Sequence, residues 1–240
     1  MNYIERMGEK ARACKSELAN ASSSQKNEAL LQIAHALRRG AADIKRANEI
    51  DLKNAAARGM SESMQDRLRL DDKRIEGMAA ACEKLCALAD PIGEVMGGEG
   101  RPNGMRITKV RVPMGVIGII YEARPNVTAD AAALCLKSGN AMILRGGKEA
   151  INSNIELIKI MRRAVALAGF PEDIIQLVED TDRGIALEMM QANGYIDVLI
   201  PRGGAKLIQS VVKNATVPVI ETGTGNCHVY VDATADLDMS

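Results

Sequence analysis

Side chains able to do chemistry gather in four short stretches of the second half of the chain. They are Glu122-Ala123-Arg124-Pro125-Asn126, Arg145-Gly146-Gly147-Lys148-Glu149, Pro201-Arg202-Gly203-Gly204-Ala205-Lys206 and Glu221-Thr222-Gly223-Thr224-Gly225-Asn226. Each follows an apolar run, and each is a polar, glycine-bearing or cationic cluster. Arginine offers a planar fork and lysine a point charge, both suited to phosphate oxygens, so Arg145 and Lys148 are candidates for a ribose or its 2′-phosphate. Gly203-Gly204 stands where a helix would open, and the free N–H groups there could receive a diphosphate. Taken singly, each glycine fits a tight turn equally well. Four such loops at one sheet edge favour an anionic-ligand site over a plain scaffold edge.

The familiar phosphate fingerprints are missing. No Gly-x-Gly-x-x-Gly follows the first apolar run, and Gly146-Gly147-Lys148-Glu149 lacks both the upstream glycine and the Ser/Thr of a P-loop. A standard pyrophosphate grip and an ATPase are both disfavoured.

The elements that must position these loops follow from periodicity. From Pro113 onward the rhythm is strand, helix, strand. Val116–Tyr121, Ala141–Leu144, Ile174–Val178 and Ile196–Ile200 are the buried strands, with Val217–Ile220 and His228–Val231 completing the series. Thr128 is placed to cap a helix through Lys137, closed by Gly139. Asn152 or Ser153 opens a helix through Ala168, ended by Gly169 with Pro171 just beyond. Thr181 caps a short helix through Met190, and Gly204 to Lys213 forms another. This alternation predicts an α/β protein, a Rossmann-like parallel sheet wrapped by helices. Ligands of such sheets bind beyond the carboxyl ends of the strands, where the four loops fall.

The first 96 residues read as helices. Ala29, Leu30, Ile33, Ala34 and Leu37 recur at helical spacing, Ser22 is the N-cap, and Gly59 and the Gly77 region punctuate further helices. His35 lies on or beside the apolar face and reads as a packed core histidine rather than a ligand. Residues 97–112 read as a hairpin in which Gly97 to Gly104 is turn chemistry and Met105–Val112 alternates apolar with basic residues. The expected organisation is N-terminal helices over 1–96, a hairpin and possible assembly element over 97–112, a nucleotide-binding core over 113–222, and the start of a further domain over 223–240.

Composition narrows the class. The 240 residues carry 31 basic against 31 acidic side chains, and 2% are aromatic. A balanced charge with few rings argues against nucleic-acid binding. No apolar run nears the roughly 18 residues of a membrane span, and Met1–Lys10 lacks a signal-peptide pattern. Five cysteines, Cys14, Cys82, Cys86, Cys135 and Cys227, form an odd set, three of them in helical patterns. Free thiols in a reducing cytoplasm are expected. No metal-binding spacing is present.

Val112-Pro113-Met114-Gly115-Val116-Ile117-Gly118-Ile119-Ile120-Tyr121-Glu122-Ala123-Arg124-Pro125-Asn126 resembles the gamma-glutamyl phosphate reductases, also called glutamate-5-semialdehyde dehydrogenases, of the aldehyde dehydrogenase superfamily. So do Leu144-Arg145-Gly146-Gly147-Lys148-Glu149, Ile200-Pro201-Arg202-Gly203-Gly204 and Pro218-Val219-Ile220-Glu221-Thr222-Gly223. The resemblance implies an aldehyde dehydrogenase-like fold. It also implies NADPH-dependent reduction of gamma-glutamyl phosphate to glutamate-5-semialdehyde and phosphate, a step of proline biosynthesis. It gives Asn126 the role of oxyanion donor, a contribution of ~3 kcal/mol for a preorganised group. By the same resemblance Arg145, Gly146, Gly147 and Lys148 hold the adenosine ribose and 2′-phosphate, and Gly203 and Gly204 lie near the diphosphate. Arg124 goes to the substrate and favours the glutamyl group. Glu221 matches the general base of the oxidising relatives, a role less needed where phosphate leaves.

The superfamily mechanism also implies a cysteine thiolate attacking the acyl carbon. Cys227 is a candidate, but adjacent strand residues point to opposite faces, so His228 is poorly placed to activate it. The resemblance sets the nucleophile further along the chain, in an Arg-Pro-x-x-Cys-like context beyond Ser240. The 240 residues are therefore expected to be the cofactor-binding half of a two-domain enzyme, a truncated form inactive alone, with Cys227 a structural thiol entering a strand. The alternatives are a non-catalytic nucleotide-binding or oligomer-partner domain, and another acyl-reducing aldehyde dehydrogenase acting on acyl-CoA. A homo-oligomer is expected of the parent protein.

Overall fold

The computed structural model describes residues 1–221, 223, 227–236 and 238–239. The helical segment comprises α1 (Tyr3–Ala13), α2 (Lys15–Asn20), α3 (Ser23–Arg39), α4 (Ala41–Ala57), α5 (Glu62–Leu68) and α6 (Asp72–Ala87). Ser22 caps α3 as expected: its hydroxyl accepts from the Gln25 amide while the Gln25 side chain reaches back to the Ser22 amide. That reciprocal arrangement satisfies two otherwise orphaned donors. Three expectations fail here. Gly77 lies inside α6, and the break falls instead at residues 69–71, where Asp71 caps α6. His35 is exposed, on the polar side of α3, because Leu30, Ile33, Ala34 and Leu37 carry the buried stripe without it. Gly97, Gly98 and Gly100 are not turn residues but lie within a strand.

That strand is β1 (Val95–Gly100), antiparallel to β2 (Arg106–Val110), and every residue of the ribbon is exposed. The reversal occurs at 101–105. Two of its cations are already engaged within the ribbon and its stem, Arg101 with Glu99 and Arg111 with Glu94, each at 2.7 Å.

The core is a parallel sheet of β3 (Val116–Tyr121), β4 (Ala141–Arg145), β5 (Ile175–Leu177) and β6 (Val198–Arg202), in the order β5-β4-β3-β6. Every residue of β3 is buried, as a continuous apolar run covered on both faces requires. The connecting helices are α7 (Asn126–Lys137), α8 (Ile151–Leu167), α9 (Arg183–Met190) and α10 (Ala205–Asn214). Helices α7 and α8 pack between the sheet and α3, α4 and α6, while α1 crosses the other face beside α9. On the α9 face, a Cβ at Gly118 would lie 2.9 Å from the Met189 methyl, so the bare glycine lets that side chain pack close to β3. One hydrophobic cluster runs from Ile4 through the sheet to Val217.

Gly139 and Gly169 end α7 and α8 with φ of +71° and +86°, the left-handed C′ conformation that glycine adopts without strain. Thr128 is not a cap. It sits buried in the first turn of α7, giving its proton to Asn154 Oδ1 at 2.8 Å, so the Tyr121 hydroxyl must donate to it at 2.6 Å. Asp182, not Thr181, caps α9. The stretch expected as a fifth strand, Val217–Ile220, meets β6 only at one Leu199–Val219 bridge; Pro218 supplies a carbonyl there but has no N–H to extend a ladder. His228–Val231 is not a strand among the described residues: it pairs with nothing, and Val229 and Tyr230 are more than four-fifths exposed.

Candidate functional site at the sheet switch point

From β3 the chain moves to β4 and β5 on one side, then returns to place β6 on the other side of β3. The switch point therefore lies between the carboxyl ends of β3 and β6, where an open α/β sheet forms its ligand crevice. The loops after these two strands face each other there. They line a cleft of about 340 Å³ with Glu122, Arg124, Arg202, Gly203 and Gly204, closed on the far side by Met64 and Arg67 of α5.

The turn after β3 is tight. The Arg124 amide donates to the Glu122 carbonyl at 2.6 Å and Val127 N to the Arg124 carbonyl at 3.0 Å, which starts α7 at Asn126. Asn126 is half-buried, and its Nδ2 donates to Asp130 Oδ2 at 3.2 Å. One of its two N–H bonds is thus directed and the other is open to a ligand oxygen. Burial pushes the Asp130 carboxyl above the ordinary aspartate range, against the lowering effect of the Asn126 bond.

Across the cleft, α10 opens with Gly204 as its N-cap. The Gly204 amide is taken: Glu122 Oε2 accepts from it at 3.1 Å. A Cβ at Gly203 would lie 2.7 Å from the Glu122 carboxyl carbon, so the carboxylate rests directly on the bare glycine. The sequence places Glu122 in a candidate loop but gives it no role of its own. It occupies the anion seat the helix dipole creates, leaving the amides of Ala205 and Lys206 as the open donors of the first turn.

The loop after β4 is divided in character. Arg145 turns toward the 181–182 segment, donating from one terminal nitrogen to the Thr181 and Asp182 carbonyls at 3.3 and 3.2 Å. Its Nε is buried without an acceptor, and desolvation draws its basicity below that of a free guanidinium despite Asp180 and Asp182 nearby. Gly146 packs against the Tyr121–Thr128–Asn154 network: a Cβ there would come within 2.2 Å of Asn154 Nδ2. Lys148 is exposed and forms no ion pair among the described residues. It shares a cleft of about 290 Å³ with Glu149, with Asp51 and Asn54 of α4 and with Arg58 just after it.

This loop is held from α4. Asp51, 1% exposed, accepts from the Asn152 amide and side chain and from the Ser153 amide and hydroxyl, capping α8 from another helix. Asn48 bonds the Leu68 carbonyl, the Leu70 amide and the Ser153 hydroxyl oxygen, tying the end of α5 to the same point. No local pattern signals these contacts, because the partners lie up to 105 residues apart.

Glu221 is exposed just beyond the single bridge to β6, and no hydrogen bond or ion pair joins it to Asn126 among the described residues. Thr222, Thr224, Gly225 and Asn226 of its loop lie outside the described residues, as does Ser240. Cys227 is exposed in a stretch without strand pairing, so it is not a thiol entering a strand. The other four cysteines are free and buried or partly buried, with burial pushing the Cys82 and Cys135 thiols up to about 12.

Comparison with known proteins decides the family. The aldehyde dehydrogenase family model matches residues 2–240. The chain belongs to the aldehyde dehydrogenase family. Its parallel sheet, enclosing helices and small hairpin are the fold of that family. It is 58% identical to a gamma-glutamyl phosphate reductase of Clostridium botulinum, over 100% of this chain and 58% of the relative. A crystal structure of gamma-glutamyl phosphate reductase from Thermotoga maritima superposes with a TM-score of 0.93 at 47% identity, covering 99% of this chain and 57% of that one. The corresponding Saccharomyces cerevisiae structure gives 0.85 at 33% identity, over 92% of this chain and 56% of that one. The chain thus spans somewhat more than half the length of the relatives it matches.

Family membership brings a nicotinamide cofactor. The switch-point geometry fits one, with a glycine pair at a helix start and two open amides; apart from it, on the β5 side of β4, Arg145 Nε is buried without an acceptor. Among the described residues there is no cluster of three or more His, Cys, Asp or Glu able to hold a metal, and no helix is long and apolar enough to cross a membrane.

Proposed function

We propose that this chain supplies the cofactor-binding machinery for NADPH-dependent reduction of gamma-glutamyl phosphate to glutamate-5-semialdehyde and phosphate, a step of proline biosynthesis. The single observation that carries the reading is that Arg124 lines two adjoining clefts at the β3/β6 switch point, one with Gly203-Gly204 and the other with Asn126. Residues 113–222 form the dinucleotide-binding core in this reading, and 1–96 brace it. The exposed ribbon at 97–112 serves assembly of a homo-oligomer, and 223–240 begin the catalytic part. The cytoplasm is the proposed compartment.

Bound NADPH supplies the hydride; the chain's own residues bind, orient and polarise. Lys148 lies on an exposed edge of the β4 loop, open to a 2′-phosphate, and Arg145 of the same loop keeps its Nε as an unused donor held out of water. The amides of Ala205 and Lys206, with the bare backbone of Gly203, take the diphosphate once the Glu122 carboxylate moves aside. Asn126 directs its open N–H at the acyl oxygen as negative charge gathers there, with the first held by Asp130. Arg124 faces the phosphoryl end of the substrate. Glu221 is an accessory base, subordinate because phosphate is a good leaving group.

The nucleophile in this reading is not Cys227, which is exposed and receives no hydrogen bond from His228. The 240-residue chain alone should show no reductase turnover; turnover lost on Cys227→Ala would overturn that assignment. The reading as a whole is tested by titrating NADPH and NADH separately into the chain. NADPH should bind more tightly, and Lys148→Ala should remove most of the difference. Equal affinities in the wild-type chain would sink it.

A further inference from the structure

A second cleft, of about 400 Å³, adjoins the first and is lined by Asp66, Arg67, Arg69, Arg74, Arg124, Asn126 and Asp130, with Gly77 and Met78 of α6 behind. Arg67 and Arg124 line both clefts, so they form the partition between the Gly203-Gly204 side and the Asn126 side. The two clefts together hold five arginines and three carboxylates. That is a local excess of two positive charges in a chain whose 31 basic and 31 acidic residues balance.

The carboxylates do not neutralise this pair. Asp66 is ion-paired with Arg74 at 2.9 Å, Asp130 accepts from Asn126, and Glu122 accepts from Gly204. Arg67 and Arg124 form no ion pair among the described residues, whereas Lys45 and Arg46 of neighbouring α4 both do. Nor is Arg67 on a loose loop. The next residue, Leu68, is fully buried against Ala55 and Ala150, and its carbonyl is fixed by Asn48 Nδ2 at 2.8 Å.

Two unpaired guanidinium forks beside an open amide donor match a dianionic phosphoryl group better than a monoanion or a neutral group. We infer that Arg67 and Arg124 form a two-arginine clamp for the phosphoryl group of an acyl phosphate, with its carbonyl oxygen at Asn126. Arg67, contributed by the helical segment rather than the sheet, is a specificity-determining residue: it selects a phosphorylated acyl donor over its free acid. This inference rests on the reductase reading, and the test separates the two.

The β-ketophosphonate analogue of gamma-glutamyl phosphate, glutamate and NADPH are each titrated calorimetrically into the 240-residue chain and its Arg67→Gln and Arg67→Lys variants. The clamp requires that the phosphonate bind the wild-type chain more tightly than glutamate does. It further requires that Arg67→Gln weaken the phosphonate by roughly tenfold or more, the value of one charge-assisted hydrogen bond. Arg67→Lys should fall between, since it keeps charge without the fork, and NADPH affinity and the thermal midpoint should not move. Three results overturn the clamp: no phosphonate binding to the wild type, no loss in Arg67→Gln, or equal loss of phosphonate and NADPH, which would give Arg67 to the cofactor diphosphate. If the phosphonate binds through Arg67 but NADPH does not bind, the clamp stands and the dinucleotide reading falls.

Discussion

Asp51 gives the sharpest energetic test of how the helical segment holds the cofactor loop. Its carboxylate receives the Asn152 amide at 3.2 Å, the Asn152 side chain at 2.8 Å, the Ser153 amide at 2.8 Å and the Ser153 hydroxyl at 2.6 Å. Asp51→Ala leaves two backbone donors at the start of α8 without partners, the Ser153 amide buried and the Asn152 amide half-buried, since their helical geometry forbids turning to water. At about 1–3 kcal/mol for each of the two stranded backbone donors the range is roughly 2–6 kcal/mol, with about 3–5 kcal/mol the expected loss. Asp51→Asn keeps the volume and one acceptor but sets an NH2 against donors, so it should cost about 2–3 kcal/mol. For a chain of this size, Asp51→Ala corresponds to a midpoint lower by roughly 6–20 °C. Urea denaturation measures the free energies, and amide exchange at Asn152 and Ser153 reports the local release. An Asp51→Ala chain that loses less than about 1 kcal/mol would refute the claim that this carboxylate moors α4 to α8.

The other expectations follow from single contacts. Lys26, 1% exposed, meets Asp90 at 2.7 Å, and the Ile92 amide and Ser23 hydroxyl also donate to that carboxylate. Burial opposes ionisation of Asp90, but these donors outweigh it and set its pKa below the ordinary 3.8. The pair's contribution should therefore be intact above about pH 4 and fade as pH falls through the lowered value. Asp90→Asn should cost about 3–5 kcal/mol at pH 7 by stranding the buried ammonium, and its urea midpoint should fall less steeply than the wild type's between pH 4.5 and 2.5. Parallel slopes would count against the pair. Gly146→Ala should destabilise by about 1–3 kcal/mol, since its Cβ would press on Asn154 and Tyr121, whereas Gly204→Ala, with nothing closer than 3.9 Å, should cost only the roughly 0.5–1 kcal/mol of a poorer N-cap in thermal melts. Glu122→Gln removes a charge from the α10 anion seat and should tighten NADPH binding by roughly 2- to 5-fold, the worth of a carboxylate at a helix start. Weaker binding would mean that Glu122 assists rather than competes.

The legible parts of the fold were those governed by local pattern. Val116–Tyr121 stands as a strand with the boundaries its apolar run implies, and Gly139 and Gly169 end their helices because left-handed backbone is cheap only for glycine. The failures arose where tertiary contact outweighed local signal. Thr128 has the chemistry of a cap, yet Pro125 starts the helix earlier and the hydroxyl is drawn into the Tyr121–Asn154 network. Glycines 97, 98 and 100 read as turn residues but fill an exposed edge strand, where no packed side chain is needed. At the site, the loops at the sheet edge were legible because ligand position follows from strand direction. Glu122 in the α10 seat, Asp51 beneath the cofactor loop and Arg67 beside Arg124 were not. Each acts on residues far away in sequence, and a lone carboxylate or arginine on a helix carries no sign of where its fork will end.

The measurement closest to the central claim is an amide chemical-shift map of the isotopically labelled 240-residue chain titrated with NADPH. Dinucleotide binding at the β3/β6 switch point predicts saturable shifts concentrated at 145–149 and 203–206, with smaller ones at Asn126. Shifts confined to other surfaces, or none at saturating NADPH, would contradict it.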